Sequence, residues 1–118
     1  MSAIRERLND WTVSGDSSIN TAINVNKAGV AGKRHFVTGF EIALRAASGG
    51  NDAAVTIKSN ANLLWTSYLA QGSARGTLIV REFTRPLVCN VGEAANLDVA
   101  AVGANTIVTV SMKGYTLG

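Results

Sequence analysis

Apolar and polar residues alternate along most of this chain with a period of two, the pattern of strands that bury one face. It is plainest at 105–118, "NTIVTVSMKGYTLG", where Val108, Val110 and Met112 alternate with Thr109, Ser111 and Lys113. The stretch 33–46, "KRHFVTGFEIALRA", places Phe36, Phe40, Ile42 and Leu44 on one parity and His35, Glu41 and Arg45 on the other. Gly39, on the outward parity, points to a bulge or a close neighbour. Shorter runs at 18–26, 53–59, 62–70, 76–83 and 95–102 repeat the alternation. In 62–70, Leu63, Trp65 and Leu69 share the apolar parity, which predicts a core tryptophan, while Tyr68 points the other way with Thr66.

Turn formers punctuate these runs: "SGGND" at 48–52, "SNAN" at 59–62, "QGSARG" at 71–76 and "GAN" at 103–105. A parallel sheet needs a crossover of about a dozen residues between strands, and the spacing leaves no room for one. The expected fold is therefore all-β: an antiparallel β-sandwich, jelly-roll-like, of about seven to eight strands. The opening residues differ. Ile4, Leu8 and Trp11 fall at i, i+4 and i+7, one apolar stripe on a short helix. Such a helix is too short to hold alone in water. Residues 1–17 are thus expected to form an N-terminal arm or short amphipathic segment, and 18–118 the sandwich. The arm either docks on its own domain or reaches a neighbouring chain.

Composition narrows the function classes. Hydrophobic residues make up 47% of the 118 and charged residues only 16%. Soluble domains usually carry about a quarter charged residues, so much of this surface is expected to lie against other chains, as a homo-oligomer (dimer or trimer) or a larger assembly. The net charge of +3 is spread over scattered Lys and Arg, without the basic face that a nucleic-acid footprint requires. Charges in "MSAIRERLNDW" occupy the place of a signal peptide's apolar core, and no stretch has the length of a membrane span. No nucleic-acid or membrane partner is expected.

Candidate chemistry is sparse. The single Cys89, in apolar "PLVCNV", reads as a small buried hydrophobe, and His35, beside Lys33 and Arg34, as a surface histidine. One cysteine and one histidine far apart cannot make a zinc site, and the eight acidic residues lack a calcium-loop spacing. "GVAGKR" at 29–34 lacks the full phosphate-loop motif. No catalytic residue, cofactor or metal site is expected, and the chain reads as a non-enzyme. Tyr68, with the loop residues Asn51, Asp52 and Arg75, is the candidate for a surface glycan contact. Ile4, Leu8 and Trp11 are the candidates for partner contact, because a buried aromatic anchor commonly dominates an interface.

The succession "AGVAGKRHFVTGFEI", "AAVTIKSNANLLWTSYLA", a Leu- and Val-rich strand, then "NTIVTVSMKGYTLG", resembles small β-sandwich structural proteins of tailed bacteriophages. The resemblance spans residues 28–118 and is closest to capsid decoration (cement) proteins. It implies a virion location on the capsid exterior and the major capsid protein as partner. The alternative is a carbohydrate- or receptor-binding module of a phage tail or capsid surface.

Overall fold

The computed structural model describes residues 10–46, 53–69, 78–101 and 106–118. They form β1 (Asp10–Asp16), β2 (Ile23–Lys27), β3 (Arg34–Ala46), β4 (Ala53–Ser59), β5 (Asn62–Leu69), β6 (Leu78–Val88), β7 (Ala95–Val99) and β8 (Thr106–Leu117). Two four-stranded sheets result, sheet A in the order β1-β8-β3-β6 and sheet B in the order β2-β7-β4-β5. Every pairing is antiparallel. The first strand pairs with the last, the second with the seventh, the third with the sixth and the fourth with the fifth. This is the pattern of one long antiparallel ribbon. The β3–β8 and β4–β7 pairings form where the ribbon rolls over itself, so the sandwich is a jelly roll.

Strict alternation along β8 sends Val108, Val110 and Met112 into the core. They meet Phe40, Ile42 and Leu44 of β3, Val55 and Ile57 of β4, and Leu97 and Val99 of β7. Losing one of these, as in Ile42→Ala, would cost about 2–5 kcal/mol because so tight an interior collapses poorly onto a void.

Strand β3 does not keep one phase. Val37 pairs with Gly114 and Gly39 with Lys113, leaving Thr38 as an extra residue against β8. A one-residue slip sends every side chain beyond it to the opposite face. His35 and Val37 therefore join the core, while Phe36 turns outward. This corrects the expectation of a surface His35: the imidazole is only 1% exposed. The same point disrupts pairing with β6, where Val37 faces Leu87 but Gly39 faces Glu82. Residues 83–86 bow out of the ladder there, and the chain's single proline, Pro86, sits where no ladder N–H is needed. Gly39 itself is obligatory, since a Cβ would lie 2.5 Å from the Arg81 carbonyl oxygen.

Residues 10–16 are likewise sheet, not helix or free arm. Trp11 pairs with Gly114, whose missing side chain leaves room for the indole; a Cβ there would come within 2.7 Å of Trp11 Cζ2. Trp11 is 9% exposed. Its Nε1–H donates to Thr116 Oγ1 at 3.1 Å, and its ring stands edge-on to His35 at 5.7 Å. His35 Nε2 lies 2.7 Å from the Ala28 carbonyl, which only accepts, so Nε2 carries the hydrogen. Nδ1 then accepts from the Thr116 hydroxyl at 2.7 Å. One threonine thus satisfies two buried rings.

Thr116→Val keeps the shape and removes both partners. An unsatisfied buried group costs about 1–3 kcal/mol, so urea unfolding should show a loss of roughly 2–5 kcal/mol, with most of it restored in Thr116→Ser. Wild-type stability in Thr116→Val would contradict the network.

Candidate interaction surfaces

Of the residues expected at sites, Trp11 lies in the core and Tyr68 is 68% exposed on the outer face of sheet B. Ile4, Leu8, Asn51, Asp52 and Arg75 lie outside the described residues. Two outer faces and one open flank remain as candidate surfaces, and they differ in chemistry.

On sheet A, the register aligns Val88, Phe36, Tyr115 and Asp10 in one row across all four strands. The Phe36 and Tyr115 rings stack at 4.8 Å, 9° from parallel. Leu117 and Arg34 pair in the next row on the same face. Val88 is 41% exposed, Leu117 38%, and Val91, in the turn after β6, 52%. A hollow of about 250 Å³ opens among Arg34, Phe36, Val91 and Leu117. Its rim is stiff. Residues 30–33 and 90–93 form two turns of one kind, each closed by a backbone hydrogen bond and each with a glycine at positive φ, Gly32 at 74° and Gly92 at 77°. The Gly92 N–H donates to the Lys33 carbonyl at 2.8 Å, tying one turn to the other. The Phe36 and Arg34 part of this surface was hidden in the sequence by the Thr38 slip. Contiguous Val88, Phe36, Tyr115 and Leu117 become visible only once the strands are paired.

The outer face of sheet B, among the described residues, is mostly polar and nearly neutral, with Leu63 exposed opposite Lys58. Thr66, Thr56, Asp98 and Asn24 form one row, and Tyr68 and Ala54 pair in the next. Asn24 Nδ2 donates to Asp98 Oδ1 at 2.7 Å, and Lys58 Nζ lies 3.9 Å from Asp98 Oδ2. A hollow of about 310 Å³ lies over Ala22, Ala54, Thr56 and Ala100, with Asn24 and Asp98 along one side.

Strands β5 and β6 are the outer strands on the same flank of the sandwich. Between them Trp65, Phe83 and Phe40 form an aromatic cluster, with ring centroids 5.4–6.1 Å apart. The Arg81 guanidinium lies 5.7 Å from the Trp65 ring and 5.8 Å from Phe83. An inward-turned charge on an edge strand disfavours pairing with a further chain, so Arg81 closes the flank and protects it. Trp65 packs against the core as expected, but Leu63 is exposed. Leu64 is an extra residue between Leu63 and Trp65, and the alternation changes phase there.

At the end of the sandwich near the β4–β5 turn, Ser59 Oγ donates to Glu93 Oε1 at 2.6 Å and accepts from the Asn90 N–H at 2.9 Å. Asn90 and Asn62 add longer hydrogen bonds to the same carboxylate oxygen. The adjoining Cys89 is buried, and burial pushes its thiol up; the neighbouring Ser59 hydroxyl offsets this in part, and Glu93's charge adds to it. A thiol held protonated is a poor nucleophile. Among the described residues no three His, Cys, Asp or Glu side chains come together as a metal site.

No family model matches the chain, and no curated protein matches it in sequence. Among solved structures, the PRD1 vertex protein P5 is 12% identical, with 91% of this chain and 97% of that one covered and a TM-score of 0.48. The CBM36-1 domain of a xylanase from the hindgut metagenome of Trinervitermes trinervoides is 13% identical, covering 93% and 98%, with a TM-score of 0.43. The Aeromonas hydrophila lysozyme inhibitor PliG is 10% identical, covering 92% and 87%, with a TM-score of 0.41. Likenesses at this level carry no argument about function.

The hydrogen bond from Ser59, followed by those from Asn90 and Asn62, holds the Glu93 carboxyl below its ordinary 4.5. A lowered folded value means stability that is present above 4.5 and lost as pH falls through the lowered value. Wild type should therefore exceed Glu93→Gln in stability at neutral pH, and the gap should close on acidification. Chemical denaturation across pH measures this, and a gap independent of pH would contradict the role given to the carboxylate.

Proposed function

We propose that the chain is a structural protein of a phage particle, a decoration protein that binds the major capsid protein through the outer face of sheet A. The observation that carries this reading is the contiguous apolar row Val88–Phe36–Tyr115, continued by Leu117 and Val91. Grouped apolar side chains facing water mark contact surfaces, and aromatic residues with an arginine at the margin are the common composition of binding hot spots. Arg34 supplies that margin. The low charged fraction of 16% supports the same reading, as does the resemblance over 28–118, whose quoted stretches contain β4, β5, β8 and most of β3.

With Trp11 committed to the core, the partner contact moves to Phe36 and Tyr115. Ile4 and Leu8, outside the described residues, stay in the proposed contact set on the strength of the sequence pattern alone. A capsid offers the same contact many times by symmetry, so a modest patch used by a dimer or trimer on the shell exterior gains from avidity. Catalysis has no part in this reading.

Pelleting with undecorated capsids of the source phage tests it. Wild type should sediment saturably at a fixed copy number per shell. Phe36→Ser with Tyr115→Ser, which removes a cross-strand pair worth about 0.5–1.5 kcal/mol, should stay folded by circular dichroism and lose at least roughly ten-fold in affinity. Wild-type protein left in the supernatant at micromolar concentration would overturn the proposal.

A further inference from the structure

The outer face of sheet B carries a second kind of surface, independent of the assembly contact. Its outward residues, among those described, are mostly hydroxyls and amides: Thr56, Thr66, Tyr68, Asn24, Asn26 and Asn96, with Ala54 beneath the hollow and the exposed Leu63 opposite Lys58 at the far end. The two charged side chains on this face, Lys58 and Asp98, sit 3.9 Å apart and offset each other. Sheet A differs, with Asp10, Glu41, Glu82, Lys113 and Arg34 on its outer face.

From this we infer that the hollow over Ala54 and Thr56 is a binding site for a neutral saccharide. Three features point there. The Tyr68 side chain projects beside the hollow, because Tyr68 pairs with Ala54 on the same face, and its exposed ring can cover the apolar C–H face of a pyranose. Asp98 and Asn24 stand along one side, held to each other at 2.7 Å, so an acceptor and an amide are fixed together for adjacent sugar hydroxyls. The floor of Ala22, Ala54 and Ala100 lets a flat ring approach the sheet.

The ligand class follows from charge and size. Among the described residues, a phosphate or carboxylate would meet Asp98 with only Lys58 to oppose it, and no Lys or Arg lines the hollow. A neutral polyhydroxylated ring meets hydroxyls, amides and one carboxylate acceptor. Pockets for small molecules span about 300–1,000 Å³, and at about 310 Å³ this one suits a single ring of a longer chain. The loop residues Asn51, Asp52 and Arg75 are not needed for it; Asn24, Thr56 and Asp98 replace them beside Tyr68.

The test uses the full chain on an array of neutral, sialylated and sulfated glycans, followed by amide chemical-shift titration with the best neutral binder. The expected result is saturable binding of a neutral glycan, with shifts at residues 22–24, 54–56, 68 and 98–100. Tyr68→Ala, an exposed position that leaves the fold intact, should weaken binding at least ten-fold, as should Asp98→Ala, while Tyr115→Ser should bind as wild type. A flat array, binding confined to anionic glycans, shifts outside these strands, or an unaffected Tyr68→Ala would each overturn the inference.

Discussion

The hydroxyl of Thr116 holds three parts of the sandwich to one geometry. It accepts from Trp11 on β1 and donates to His35 on β3, whose far nitrogen donates to the Ala28 carbonyl in the loop leading to β3. Two large rings are thereby buried without an orphaned polar atom, and an orphan would be costly in so tight an interior. Without that relay the buried indole N–H and the imidazole would be left unpaired, and the anchor of β1 on β8 would weaken. The rolled ribbon depends on that first–last pairing, because it brings the two ends of the described chain onto one sheet. The row Val88–Phe36–Tyr115–Asp10 on the outer side exists only because the inner side is fixed in this register.

Much of the fold was legible in the residues. The strands at β3, β4, β5 and β8 follow from period-two alternation, and the "SNAN" turn sits where β4 meets β5, with Asn60 at a φ of 50°. Strand order was not legible, because pairing joins residues far apart in the chain. The positions misread in β3 and β5 share one physical cause. Alternation assumes one residue per step on both partners, and an extra residue at Thr38 or Leu64 reverses the phase without changing composition. Gly39 signalled the first of these, but only its close approach to Arg81 shows which residues change face. Trp11 was misread for another reason. Its spacing with Ile4 and Leu8 fits a helix, yet the cavity above Gly114 favours the strand, and nothing local to residues 1–17 reveals that cavity. The surface sites were the least legible. Tyr68 could be placed outward from parity, whereas Phe36, Asn24 and Asp98 become site residues only through their neighbours on other strands.

The two outer faces divide the proposed work. One end of sheet A's outer face presents stacked rings and aliphatic side chains beside a hydrogen-bonded double turn, suited to a dry contact with another protein, with charged residues further along the face. Sheet B, among the described residues, presents mostly amides and hydroxyls with the exposed Tyr68 ring and Leu63, a surface that loses little by staying wet. The flank between β5 and β6, where a further strand could have added, is closed by Arg81 over Trp65 and Phe83. A sandwich so arranged can lie with one face on a shell and leave the other open to solvent.

Hydroxyl-radical footprinting of the free and capsid-bound protein, read by mass spectrometry at individual side chains, tests that division most directly. The account predicts that Phe36, Tyr115 and Leu117 become protected on the shell while Tyr68 reacts as in free solution. Unchanged reactivity at Phe36 and Tyr115 in the bound protein, or protection centred on Tyr68, would contradict it.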